Sequence, residues 1–266
     1  MFPIRSAHAP PLPRCDARSP PRQVVAPRCP IGIAAIDTVL GGGVAQGRMH
    51  EVYASGLDDA AGAIGFAALL AATLAGGKQD KSLAWLRDSR VLRSSGVLQA
   101  RGLIEHGGII PSACLFVLAD NGRALLRAGL DIVRCTGLGT AIIETHGPLP
   151  ELDLTASRRL ALAAESSGIT LLVLRIGAEP VPSAAQTRWS AASAPSRALH
   201  GNAPGASTFD ITLLRQRSGP SGMGWRLEWD RDRRMFRETK ISDAVVPVPV
   251  GRSVADRDGR PAARAA

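Results

Sequence analysis

The chain has 266 residues, a net charge of +9, 45% hydrophobic residues and only 4% aromatic residues. This composition supports one sizeable α/β domain with an aliphatic core, and no run of about 18 apolar residues is present to span a membrane. The start of the chain is rich in Pro and Arg but lacks the apolar stretch of a secretory signal, so a cytoplasmic protein is expected.

The positive charge falls mainly outside the central part of the chain. Residues 1–30 and residues 231–266 each carry a net charge of +4, whereas residues 31–230 carry +1. We therefore expect disordered basic segments at 1–29 and 238–266 on either side of a nearly neutral domain. Basic tails of this kind contact polyanions weakly more often than they read a nucleic-acid sequence.

Hydrophobic periodicity predicts alternating helices and strands across residues 30–237. The predicted helices are 33–40, 60–75, 97–107, 121–135 and 153–168. The predicted strands are 48–54, 82–88, 113–119, 140–146, 170–177, 209–217 and 225–232. The segment 180–209 is rich in Ala, Ser and Pro and is predicted to be a loop. Strand–helix alternation followed by a terminal hairpin predicts a mostly parallel central sheet with an antiparallel edge.

The connection after the strand at 48–54 has the strand–loop–helix context of a phosphate-binding loop. Such a loop reads G-x-x-x-x-G-K-[ST]; its amides surround phosphate, its Lys neutralises charge and its hydroxyl holds magnesium. The four consensus positions are occupied here by Ala54, Asp59, Ala60 and Ala61. Because the Lys and the hydroxyl are missing, we predict no ATP binding, no cofactor, no metal and no ATPase activity.

Two carboxylates stand inside this degenerate loop, which also contains Ser55 and Gly56. Asp58 and Asp59 precede the helix at the point where phosphate oxygens would bind. A carboxylate at a helix N-cap accepts backbone N–H bonds and stabilises the helix by roughly 0.5–2 kcal/mol. We therefore predict that these side chains hold the helix start in place of a ligand.

Several segments of the chain resemble a known family. The segment IGIAAIDTVLGGGVAQGRMHEVYA resembles the entry to a RecA-type ATPase core, and TAIIETH resembles its Walker B strand, with Glu144 where an Asp usually stands. The segments AAQTRWSAASAPS (184–196) and FDITLLRQRSGPSGMGWRLEWD (209–230) are more specific and are similar to the ImuA family. These are RecA-like, SulA-related accessory proteins of bacterial mutagenic translesion synthesis. The resemblance covers roughly residues 29–236.

The resemblance implies a RecA-like α/β fold and a non-catalytic adaptor role in the SOS response to DNA damage. The partners it implies are an ImuB-like inactive homologue of Y-family polymerases, a DnaE2-type error-prone polymerase and RecA. One alternative is a single-stranded DNA binder or modulator of RecA filaments, and another is a divergent nucleotide-binding ATPase. Asp88 stands where RecA-like enzymes place a catalytic carboxylate, but without the Lys and hydroxyl neither Asp88 nor Glu144 has a phosphate to act on.

Arginines in the C-terminal third of the chain are the candidate contact residues. Arg188 beside Trp189 offers a cation and an indole, which suit a stacked base or a hot spot of a protein interface. The alternative is that Trp189 covers an edge of the core. The remaining candidates for contact with a partner or with DNA phosphate are Arg197, Arg231, Arg233, Arg234 and Arg237.

Overall fold

The computed structural model describes residues 26–54, 56–75, 82–92, 96–203 and 205–239. Its helices are α1 (Ala34–Val39), α2 (Ala60–Leu74), α3 (Ala100–Gly107), α4 (Gly122–Val133) and α5 (Leu154–Ser167). Its strands are β1 (Arg28–Cys29), β2 (Val44–Ala45), β3 (Met49–Ala54), β4 (Ser82–Asp88), β5 (Cys114–Ala119), β6 (Leu138–His146), β7 (Thr170–Ile176), β8 (Thr187–Ser193), β9 (Thr208–Gln216), β10 (Gly224–Asp230) and β11 (Met235–Thr239). Among the described helices, none has the length and hydropathy needed to cross a membrane.

Nine of the described strands form one sheet in the order β11-β10-β9-β8-β3-β7-β6-β4-β5. The six strands from β8 to β5 run parallel, and β9, β10 and β11 continue the sheet in antiparallel pairs. Helices α2 and α3 cover one face, while α4 and α5 cover the other. This arrangement confirms the predicted α/β fold with a mostly parallel sheet and antiparallel C-terminal strands.

The central strands β3 and β7 are buried along their whole length. Because helices cover both faces, apolar residues follow one another in β7 instead of alternating with polar ones. Helix α2 is rich in Ala and lies close against the sheet. A Cβ atom on Gly62 would stand 2.5 Å from the backbone nitrogen of Ser193 in β8, so the missing side chain permits this close approach.

Strand β8 lies inside the segment that was predicted to be a loop. It pairs with β3 on one side and with β9 on the other, in registers such as Val52↔Trp189 and Trp189↔Leu213. The loop prediction was wrong because TRWSAAS contains no apolar run and includes an arginine. Its strand character comes from pairing on both sides rather than from its own pattern.

Both ends of the sheet region extend past the predicted domain boundaries. Arg28–Cys29 pair with Val44–Ala45 in a short antiparallel ribbon, and β11 continues beyond residue 237. These residues had been assigned to disordered tails, and their pairing corrects that assignment. The rest of the two predicted tails, 1–25 and 240–266, lies outside the described residues.

A chain of buried hydrogen bonds holds β8 against β3. The indole N–H of Trp189 donates to Thr187 Oγ1 at 2.8 Å, and Thr187 Oγ1 lies 2.7 Å from His50 Nδ1. His50 Nε2 lies 2.8 Å from the carbonyl oxygen of Ala45. All of these groups are satisfied when a neutral His50 donates from Nε2 and accepts at Nδ1. Burial of the ring lowers the pKa of His50 from 6.5 to about 4, although the hydrogen bond to Ala45 opposes the shift.

Candidate functional site

The degenerate loop joins the carboxyl end of β3 to the start of α2, at the edge of the sheet where ligands bind in open α/β folds. Ala54 is buried, Leu57 is 63% exposed, and the amide of Ala60 donates to the Leu57 carbonyl at 3.1 Å. Ser55 lies outside the described residues. The other residues of the loop are half-buried or exposed: Gly56, Asp58, Asp59 and Ala61.

The prediction that a carboxylate caps α2 is wrong for Asp59. Asp59 occupies the N-cap position, but its backbone is already helical (φ −89°, ψ −4°) and its side chain accepts no cap hydrogen bond. A capping side chain reaches the first-turn amides from an extended backbone. Asp153 does so at the start of α5, where it accepts from the Ala156 amide at 2.7 Å. Helix α2 therefore begins in a backbone turn, with Asp58 exposed beside it.

Glu144 is enclosed near the carboxyl end of β6, and its side chain is fully buried. One carboxylate oxygen accepts from the Trp85 indole N–H at 2.8 Å. The other lies 2.9 Å from Arg87 Nη2 and 3.1 Å from His146 Nε2. Both oxygens are therefore engaged by neighbouring side chains, and solvent does not reach them.

The electrostatics of this cluster keep Glu144 ionised. Burial would raise the pKa of Glu144, but the hydrogen bonds from His146, Arg87 and Trp85 and the charge of Arg87 together outweigh burial and lower the pKa below its usual value. The Arg87 side chain is 6% exposed and also donates to the Gly96 carbonyl at 2.8 Å. The Walker B-like position thus holds a charged side chain that is committed to a buried ion pair.

Asp88 is likewise engaged by a basic side chain. Its two oxygens receive a forked contact from Arg90, with Asp88 Oδ2 2.6 Å from Arg90 Nη2 and Asp88 Oδ1 3.1 Å from Arg90 Nε. This hydrogen bonding lowers the pKa of Asp88. The two strand-end carboxylates therefore have separate arginine partners.

Trp189 is a core residue, and the prediction that it contacts a partner or DNA is wrong. Its side chain is 2% exposed and packs near Trp225, with ring centroids 6.3 Å apart. Arg188 is mostly buried as well, because its Nε lies 2.9 Å from Glu51 Oε2 and its Nη2 donates to the Val181 carbonyl. The structure therefore supports the alternative, in which this segment covers the core.

The other candidate arginines are exposed and lie in two separate regions of the chain. Arg197 lies between β8 and β9, whereas the rest follow β10 or lie in β11. Arg233 and Arg237 both contact Asp230, at 3.3 Å and 3.2 Å. The exposed arginines around the β10–β11 turn are Arg231, Arg233, Arg234 and Arg237.

The residues that surround Glu144 were not found by sequence reasoning, although two signals for them exist. His146 stands two residues after Glu144 and so shares its side of the strand. Arg87 and Glu144 are register partners in the neighbouring strands β4 and β6. The first signal is readable from the sequence, whereas the second requires the strand order.

Comparisons with known proteins agree with this geometry at the level of the fold. The chain is similar to the crystal structure of the RadB recombinase, with 14% sequence identity and a TM-score of 0.53. The match covers 80% of this chain and 100% of RadB. No protein-family profile and no curated protein matches the sequence. The fold is therefore RecA-like.

Proposed function

We propose that this protein is a non-catalytic, cytoplasmic RecA-like adaptor in error-prone translesion DNA synthesis during the bacterial SOS response. The observation that carries the non-catalytic part is the state of Glu144, whose carboxylate is buried and bonded to Trp85, Arg87 and His146. A magnesium ion at a Walker B carboxylate needs a free oxygen. The missing Lys and hydroxyl of the loop support the same conclusion.

The adaptor part of the proposal rests on the resemblance of segments 184–196 and 209–230 to the ImuA family. The proposed partners are an ImuB-like inactive Y-family homologue, a DnaE2-type polymerase and RecA. Exposed apolar side chains on the edge strand β5 are compatible with protein contacts: Leu115, Phe116 and Leu118 are 42%, 46% and 53% exposed. Such residues on the edge strand of the described sheet suit association with another chain.

The main test of this proposal is affinity capture of the tagged full chain from bacteria with and without DNA damage. We expect polymerase components to be recovered after damage and to remain bound after nuclease treatment. Recovery that disappears with nuclease treatment would favour the second candidate, a single-stranded DNA binder or RecA-filament modulator. That candidate is favoured by the net charge of +4 on residues 231–266 and by the exposed arginines of the β10–β11 turn.

A divergent ATPase is the third candidate, and ATP binding tests it separately. We expect millimolar ATP with magnesium to shift the melting temperature of the purified chain by less than about 1 °C, because the loop offers no Lys and Glu144 no free oxygen. A ligand at a hundred times its Kd adds about 2.7 kcal/mol and raises the melting temperature by several degrees. A rise of that size, absent with AMP, would establish nucleotide binding.

A further inference from the structure

A cleft of about 610 Å³ opens on the α5 side of the sheet. It lies between the start of α5, the connection 180–184 that follows β7, and the end of β9. Four arginines of the described chain line it: Arg158, Arg188, Arg215 and Arg217. They come from α5, β8 and the end of β9, so only the folded chain brings them together. We refer to this feature as the arginine cleft.

The positive charge of the arginine cleft is only partly compensated. Among the described residues that line it, there is no Asp or Glu. Arg188 is neutralised by Glu51 beneath it at 2.9 Å, while Arg215 makes a long contact of 3.5 Å to the Ser183 carbonyl. Within the described residues, Arg158 and Arg217 form no ion pair. Arg158, Arg215 and Arg217 therefore line the cleft without an ion-pair partner among the described residues, and a carboxylate or phosphate bound there would neutralise part of their charge.

Apart from Ser183, the remaining described residues of the cleft wall are apolar, and the connection 180–184 is stiff. Leu154 and Val181 are 40% and 39% exposed, and Pro180 and Pro182 flank Val181. The two proline rings fix the backbone angle φ on either side of Val181, and Arg188 ties this connection down through the Val181 carbonyl and the Ser183 hydroxyl. The cleft is thus formed before any ligand binds, which lowers the entropic cost of association.

The mixture of charge and apolar surface discriminates between ligands. The part of the cleft wall that the structure describes contains no aromatic ring on which a nucleic-acid base could stack. A phosphodiester backbone also offers nothing to bury against Leu154 and Val181. A peptide in which acidic residues alternate with aliphatic ones is complementary to both the charged and the apolar parts of the cleft. Its carboxylates pair with arginine, and its aliphatic side chains cover the apolar surface.

We propose that the arginine cleft binds an acidic, aliphatic segment of a partner protein. Carboxylates of the segment pair with Arg158, Arg215 and Arg217, and a Leu or Val side chain packs against Leu154 and Val181. Arg188 is a positioning residue that holds the 180–184 connection through its bond to Val181. The inference rests on the proposed adaptor function, for which it supplies the chemistry of one contact.

The test is fluorescence anisotropy with the purified full chain and a short fluorescein-labelled peptide that contains alternating Glu and Leu. The matched probes are the same peptide with Gln for Glu, and a fluorescein-labelled thymidine oligonucleotide. We expect the acidic peptide to bind and the Gln peptide not to bind. Arg158→Glu and Arg217→Glu should each lower the affinity for the acidic peptide by about tenfold or more, since each replaces an attraction with a repulsion.

Arg159→Glu is the matched control. Arg159 is the next residue of α5 and is exposed, but it does not line the cleft, so this change should alter peptide affinity by less than about twofold. The inference is overturned if the acidic peptide does not bind, or if Arg159→Glu lowers the affinity for this peptide as much as Arg158→Glu does. It is also overturned if Arg158→Glu lowers the affinity for the oligonucleotide and not that for the peptide. These outcomes leave the capture experiment unaffected, so failure of the cleft and failure of the adaptor role are distinguishable.

Discussion

Replacing Glu144 with Ala is expected to lower the free energy of unfolding by about 3–5 kcal/mol. The change removes the carboxylate that neutralises Arg87, whose side chain is only 6% exposed. The Arg87 cation would remain in the interior without an anion, and the Trp85 indole N–H would lose its acceptor at 2.8 Å. Both losses act in the same direction, because a buried charge or donor without a partner is costly.

Urea denaturation of the full chain, followed by circular dichroism, measures this effect. The double variant Glu144→Leu/Arg87→Met is the informative comparison, since it removes both charges and leaves an apolar pair. We expect it to be more stable than Glu144→Ala, because replacing both partners of a buried ion pair is often neutral. Glu105→Ala is the surface control: Glu105 pairs with Arg101 on the exposed side of α3, and its loss should change the urea midpoint little. An unchanged midpoint for Glu144→Ala would contradict the buried-pair interpretation.

Most of the parallel half of the fold could be predicted from the sequence, because each element carries its own signal. Strand β7 is a continuous apolar run, and α5 has a capping Asp153 and a terminating Gly168 with φ of 78°. Strands β8 and β11 carry no such signal. Strand β8 (TRWSAAS) contains an arginine and no apolar run, and β11 (MFRET) contains two charged residues. Each is a strand because a neighbour supplies its hydrogen bonds.

The candidate site was less predictable, since the functional state of a side chain depends on its partners in space. The absence of the Lys from the loop is readable in the sequence. That Asp59 starts its helix without capping it depends on backbone angles, which the residue type does not determine. Arg188 was predicted as a contact, but its partner Glu51 is distant in sequence and becomes its neighbour through the pairing of β3 with β8. The arginine cleft was not predicted either, because its arginines are distant in sequence and become neighbours only in the folded chain.

Acid is expected to destabilise the protein through His50, by about 3 kcal/mol between neutral pH and pH 4. Burial is the main cause that lowers the pKa of His50 from 6.5 to about 4, and the nearby charges of Arg28 and Arg48 add to the shift. As the pH falls, the unfolded chain takes up this proton near pH 6.5, whereas the folded chain takes it up only near pH 4. The contribution of neutral His50 is therefore complete above about pH 6.5 and is lost progressively as the pH falls towards 4.

The structural reason lies in the direction of the hydrogen bonds. The Thr187 hydroxyl already accepts from the Trp189 indole and donates its own proton to His50 Nδ1. A protonated ring would present an N–H at Nδ1, so the Thr187 hydroxyl would have to turn its own proton away and would lose His50 as the acceptor of that proton. Because this network joins β8 to β3, its loss weakens the attachment of the antiparallel strands to the parallel sheet.

Urea midpoints of the wild type and of His50→Gln, measured at intervals from pH 7.5 to pH 4, test this prediction. We expect the variant to be less stable at neutral pH, because Gln does not reproduce both bonds of the ring, and to lose less stability than the wild type as the pH falls. The difference between the two curves isolates His50 from the carboxylates, including Glu144, whose pKa is also lowered. Parallel curves across this interval would show that His50 titrates alike in the folded and unfolded chains, and that the buried network does not set the acid sensitivity.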